Sequence, residues 1–239
     1  MILSGISVIV KILIAAAVIP ALLLLKFVYN SDHLEKESPK LLVNLVLAGI
    51  ISTLIAIIGE SIGSGILGLF FSENSTIYAF LMYFAVVGIS EEGGKYIVLK
   101  KRTWNNPEFN CQFDGVVYAV FVSLGFALWE NIKYVLSYGF GTALIRAVTA
   151  VPGHACFGVF MGFWYGLARK FENYGERGKS RRCRKLAVLV PVVIHGAYDF
   201  IATNGSEGAA LLFFAFVTCL FLICYRLIKK LSQNDQYIK

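Results

Sequence analysis

The sequence predicts an all-α, polytopic transmembrane helix bundle. Of the 239 residues, 57% are hydrophobic and 15% are charged, whereas soluble domains carry about 25% charged residues. The apolar residues fall in long blocks, and a block of about 20 such residues crosses a bilayer as a helix. Lys and Arg gather in the segments between blocks, the pattern of loops retained on the cytoplasmic side.

Seven spans are expected, at about residues 4–29, 41–71, 76–99, 115–138, 142–168, 186–203 and 208–228. The first runs past Lys11 to about Tyr29, too long for a cleaved signal segment, and reads as a retained anchor. The second holds Gly59, Gly63, Gly65 and Gly68 and is expected to break or re-enter near Glu60. The third and fourth carry acidic motifs. The fifth carries His154, Gly158, Gly162 and Gly166 at four-residue intervals, a small-residue stripe that lets a neighbouring helix approach. Residues 169–185, with eight Lys or Arg, are expected to form a long loop before the sixth span. Residues 1–239 read as a single integral-membrane domain, with a motif-bearing core at about 85–200.

Charge placement orients the bundle. Lys100-Lys101-Arg102, the 169–185 segment and Arg226, Lys229 and Lys230 mark one side, while 72–75, 139–141 and 204–207 lack Lys and Arg. A cell-membrane protein with its N-terminus outside and its C-terminus in the cytoplasm is expected. The net charge of +7 then belongs beside anionic lipid, and no nucleic-acid partner is expected. Five cysteines without CxxC spacing indicate no disulfide framework.

Ionisable residues inside the spans carry the chemical signal, because each costs about 2.5–3.5 kcal/mol on insertion scales. The third span contains Ser90-Glu91-Glu92-Gly93-Gly94-Lys95. The fourth has Phe126 four residues before Glu130, the fifth adds Arg146 and His154, and the sixth has His195 and Asp199. Glu91 and Lys95 share a helix face and are expected to pair, leaving Glu92 turned about 100° away toward a cavity. Two adjacent carboxylates in a low dielectric suit proton transfer from water. Asp199, four residues after His195, can orient its ring or join it on a metal. Each feature has a purely structural reading: an intrahelical ion pair for Glu91 and Lys95, a packing residue for His154, an interfacial position for Glu60. Arg146 balances Glu130 or Asp199, or meets substrate.

Known membrane-protease motifs narrow the chemistry. No HExxH occurs. Ile62-Gly63-Ser64-Gly65 lacks the first glycine of the rhomboid serine motif, and Asp114-Gly115 lacks the GxG that precedes the presenilin aspartate, although Tyr198-Asp199 supplies its YD. What remains is Glu91-Glu92-x-x-Lys95, Phe126-x-x-x-Glu130 and His195-x-x-x-Asp199, with Pro152-Gly153-His154 between them. In this order, over about residues 85–200, they resemble the PrsW family of membrane proteases. A more distant resemblance is to the CAAX-processing proteases, with their paired glutamates and two later histidines.

The PrsW resemblance implies a metal-type protease that cuts a membrane-anchored protein within the lipid bilayer, typically an anti-sigma factor at its first cleavage site. The expected chemistry is hydrolysis by activated water, with Glu91 or Glu92 as general base and Glu92 favoured because Glu91 is assigned to Lys95. Glu130, His154 and His195 would supply the three protein ligands of a catalytic zinc, with Asp199 behind them; a metal-free glutamate and histidine pair is the other version. The alternative class is a proton- or ion-coupled transporter, which uses similar midplane charges.

Overall fold

The computed structural model describes residues 2–238, and the side chains of residues 8–206 and 208–238. Helix α1 is Ile2–Ser31 and α2 is Pro39–Phe70. The start of α2 is written in its sequence: Pro39 begins the helix, and the Ser38 hydroxyl accepts from the Leu41 N–H, a serine cap ahead of a proline. Ser75 caps α3 (Thr76–Leu81) and Ser206 caps α9 (Glu207–Gln233) in the same way. Between them lie a π-helical turn (Met82–Val87), α4 (Gly88–Thr103), α5 (Asp114–Tyr138), α6 (Phe140–Val148), α7 (Ala150–Asn173) and α8 (Arg177–Ala202).

Among the described residues, six helices are long and apolar enough to cross a membrane, with α6 and α7 forming one run from Phe140 to Asn173. The segment expected at 76–99 is the continuous succession of α3, the π turn and α4; its charged residues and its interruption set it apart from the six. The result is an all-α polytopic bundle. Large apolar side chains such as Leu69, Phe70 and Leu211 point outward from it, where lipid is the compatible solvent.

Two expectations are corrected. The second span neither breaks nor re-enters near Glu60: α2 is one helix, and two of its glycines, Gly59 and Gly63, serve as contact points. A Cβ on Gly59 would strike Ser90, and one on Gly63 would strike Val86. The 169–185 loop is mostly helix. α7 runs to Asn173 and α8 begins at Arg177, so the basic residues decorate two helix ends around a short turn with Gly175 at φ 76°. The fifth span holds as one run, with a local irregularity at Thr149 (φ −122°, ψ −72°) between α6 and α7.

α5 is the most enclosed of the spans and packs against α1, α2, α4, α6 and α7. Its seam with α7 uses the glycine stripe. A Cβ on Gly162 would collide with the Gly115 carbonyl and the Val116 Cα, and one on Gly166 with the Gln112 carbonyl. Close backbone approach there sets how near side chains from the two helices come higher in the seam, at His154 and Glu130.

The connections at one end of the bundle lock together. Ser38 donates from its N–H and hydroxyl to Glu108 at 2.8 and 3.1 Å, and the Gln112 N–H donates to the Gln236 carbonyl. Asn173 donates to the Ile238 carbonyl at 2.9 Å. The basic residues of 100–102 and 169–185 belong to this end. All five cysteines are free.

Overfilling a packed interface costs about 1–3 kcal/mol, so Gly162→Val should lower the unfolding midpoint in detergent. Gly65→Ala, whose Cβ meets nothing within 4 Å, should leave that midpoint unchanged or slightly raised in the same thermal melt.

Candidate active site

Three helices converge on one ammonium group. In α4, Lys95 lies one turn after both Glu91 and Glu92, so a single long side chain reaches both carboxylates. Lys95 is wholly buried. Its Nζ donates to Glu92 Oε1 at 2.7 Å and Glu91 Oε2 at 3.3 Å. The third neighbour is His154 Nδ1, at 3.2 Å across from α7, and the cation also sits 4.0 Å from the Phe126 ring centre. An ammonium has three N–H bonds and no lone pair. Three acceptors therefore match it, and the match assigns His154 a bare Nδ1 with its proton on Nε2.

That tautomer propagates the network. His154 Nε2 lies 2.9 Å from Glu130 Oε2 and donates to it. Glu130 also accepts from Arg146 Nη2 at 2.8 Å. Arg146 Nε donates to Asn131 at 2.9 Å, and Asn131 donates on to the Ala17 carbonyl at 2.9 Å. The Arg146 guanidinium covers the Tyr134 ring at 4.1 Å. On the other side, His195 Nδ1 lies 2.9 Å from Glu92 Oε1 and 3.9 Å from Glu91 Oε2, and its Nε2 lies 3.4 Å from Asp199 Oδ2. Phe157 stacks on the His195 ring at 4.5 Å. The polar chain thus runs from α1 through α5, α6, α7 and α4 to α8.

A cavity of about 280 Å³ opens beside it, with Glu60, Glu91, Glu130, His154, His195 and Asp199 on its wall. Glu92 is fully buried and stands behind that wall with Lys95.

All seven side chains singled out in the sequence, Glu91, Glu92, Lys95, Glu130, His154, His195 and Asp199, therefore lie in one connected group. Their arrangement departs from expectation in specific ways. Lys95 is closer to Glu92 than to Glu91, and Glu91 rather than Glu92 faces the cavity. The reason is that spacings of three and four residues are both neighbours on a helix, and His195 approaches from the Glu92 side. The ligand grouping also changes. One donor atom from each of Glu91, Glu92, His154 and His195 lies within 4.8 Å of the others. Glu130 stands outside, its Oε2 engaged by His154 and Arg146. Arg146 pairs with Glu130, and Glu60 joins the cavity. Tyr83, Tyr134 and Phe157 escaped the sequence reading; Phe157 alone had a signal, three residues after His154 on the same face.

The match to known proteins follows this geometry. Residues 37–225 match the family model described as PrsW family intramembrane metalloprotease. Protease PrsW of Oceanobacillus iheyensis is 31% identical over 222 residues, covering 93% of this chain and 97% of the relative. Protease PrsW of Clostridioides difficile is 29% identical over 93% of this chain and 92% of the relative. That of Bacillus subtilis is 31% identical over 82% and 84%. The chain belongs to the PrsW family. No solved structure matches it.

Membership makes the chain a multi-pass membrane protease, and the family description implies a metal. The donors present fit one. Two carboxylates and two imidazoles are suitable ligands for a borderline ion, and Glu92 Oε2 is buried with no partner among the described residues. A buried acceptor without a donor is costly, and a cation satisfies it.

A double-mutant cycle of Arg146→Ala with Glu130→Gln should show a coupling of about 0.5–3 kcal/mol in unfolding free energy. Arg146→Ala with Asp199→Asn, which share a cavity but no hydrogen bond, should show a smaller coupling.

Proposed function

We propose that this PrsW-family protease hydrolyses a peptide bond of a membrane-anchored protein with a water activated by Glu91. The carrying observation is the division of labour between the paired glutamates: Glu91 is on the cavity wall, whereas Glu92 is buried against Lys95 and His195. A general base must reach the water it deprotonates. Glu91 takes a proton as the water oxygen bonds to the scissile carbon. It then returns that proton to the leaving nitrogen as the C–N bond breaks. Glu92 orients Lys95 and His195. Asp199 orients His195 from the opposite ring edge, and Glu130, clamped by Arg146, orients His154.

Glu92, His154 and His195 would supply the three protein ligands of a catalytic zinc if Lys95 gave up the His154 Nδ1 lone pair it now holds, and zinc when bound would supply Lewis acidity toward the scissile carbonyl and water. One observation favours a second reading. The Lys95 ammonium already stands among Glu91, Glu92 and His154, where a fixed cation can stabilise developing negative charge without a metal.

The substrate class we favour is an anti-sigma factor cut at its first site, which would begin a signalling cascade. Support comes from the family resemblance of the motifs. For orientation we favour the N-terminus outside and the C-terminus in the cytoplasm, supported by the basic end on which loops 32–38, 104–113 and 234–238 meet.

Purified Glu91→Gln and His195→Ala should each lose at least about 100-fold in cleavage of a membrane-anchored reporter, with Glu91→Gln still folded. Cleavage by both variants at the normal rate overturns the proposal. Elemental analysis should find one zinc per chain, and chelation should abolish cleavage until zinc is restored. Full cleavage by metal-free protein in chelator would select the Lys95 reading instead.

A further inference from the structure

We infer that the basic end of the bundle carries a second site, away from the cavity, for a hard divalent cation held by Asp32, Glu37 and Asp114. One carboxylate oxygen from each lies within 4.8 Å of the others. The three come from separate parts of the chain: Asp32 just after α1, Glu37 just before α2, and Asp114 at the start of α5. Their residue exposures are 2%, 3% and 0%.

The second observation is the lack of donors. Among the described residues, both Glu37 oxygens, Asp32 Oδ2 and Asp114 Oδ1 are buried without a hydrogen-bond partner. Asp114 spends its other oxygen on the N–H groups of Asn110 and Cys111, at 3.0 and 2.6 Å. Tyr118 and Asp114 lie close enough to influence Glu37, yet the Tyr118 hydroxyl and both Glu37 oxygens are without a partner at hydrogen-bond distance. The nearby ammonium of Lys36 is turned to the backbone carbonyls of Tyr29 and Asp32. The three acids thus bring one carboxylate oxygen each within 4.8 Å of the others, and four of their oxygens are buried without a partner.

Buried charge of one sign must be paired, coordinated or neutralised. Carboxylate oxygens are hard donors, suited to Mg²⁺, Ca²⁺ or Mn²⁺ rather than to softer ions. An ion there would clamp the α1–α2 connection to the head of α5, next to the loops that close this end. Shared protons are the competing way to neutralise the group.

Mn²⁺ is the probe, because its free form is read directly by electron paramagnetic resonance. His195→Ala removes a donor from the active-site cluster and provides the background. In detergent, metal-stripped His195→Ala protein should bind Mn²⁺ saturably, with about one ion per chain, and Ca²⁺ or Mg²⁺ should compete. Adding Glu37→Gln should weaken that binding at least about tenfold. If Glu37→Gln does not fold, Asp32→Asn in the same background serves as the second variant. No saturable binding, as neutralisation by protons requires, overturns the inference. So does binding that survives Glu37→Gln, or Asp32→Asn, unchanged.

Discussion

A buried ammonium organises the centre of this molecule. Lys95 is fully buried, and its three N–H bonds are met by Glu91, Glu92 and His154. Removing one member of a buried charge group leaves the others uncompensated and costs about 3–5 kcal/mol. That constraint reaches beyond α4. It leaves His154 to donate from Nε2, which positions Glu130. Glu130 in turn holds Arg146, and Arg146 reaches Asn131 and the backbone of α1.

Backbone packing makes the network possible. Side chains from α5 and α7 meet because Gly162 and Gly166 let those helices approach to backbone contact. The same closeness places Ser123 to donate to the His154 carbonyl at 2.6 Å. α4 is brought into register by the π turn at Met82–Val87. An extra residue in one turn rotates everything after it, and such turns recur at functional sites. Tyr83 of that turn lines the cavity.

Much of this was legible in the sequence, because lipid imposes simple rules. Apolar length located the crossings, and the cost of burying charge singled out Glu91, Glu92, Lys95, Glu130, His154, His195 and Asp199 before any geometry was known. What escaped depends on rotation and on contacts between distant segments. Helical spacing puts both Glu91 and Glu92 within reach of Lys95, so only the approach of α8 decides which faces the cavity. Glu130 looked as good a ligand as any; Arg146 and His154 claim its oxygen. The acids at 32, 37 and 114 drew no metal reading, since nothing local shows that three separate segments bury them together.

The central claim is that the Lys95 charge holds the active-site carboxylates in place. Its most direct test is thermal unfolding of Lys95→Met beside the Lys95→Met/Glu92→Gln pair. The single substitution should lower stability by about 3–5 kcal/mol, and removing the Glu92 charge as well should recover most of that loss. An unfolding curve for Lys95→Met that overlays the unsubstituted protein would contradict the account.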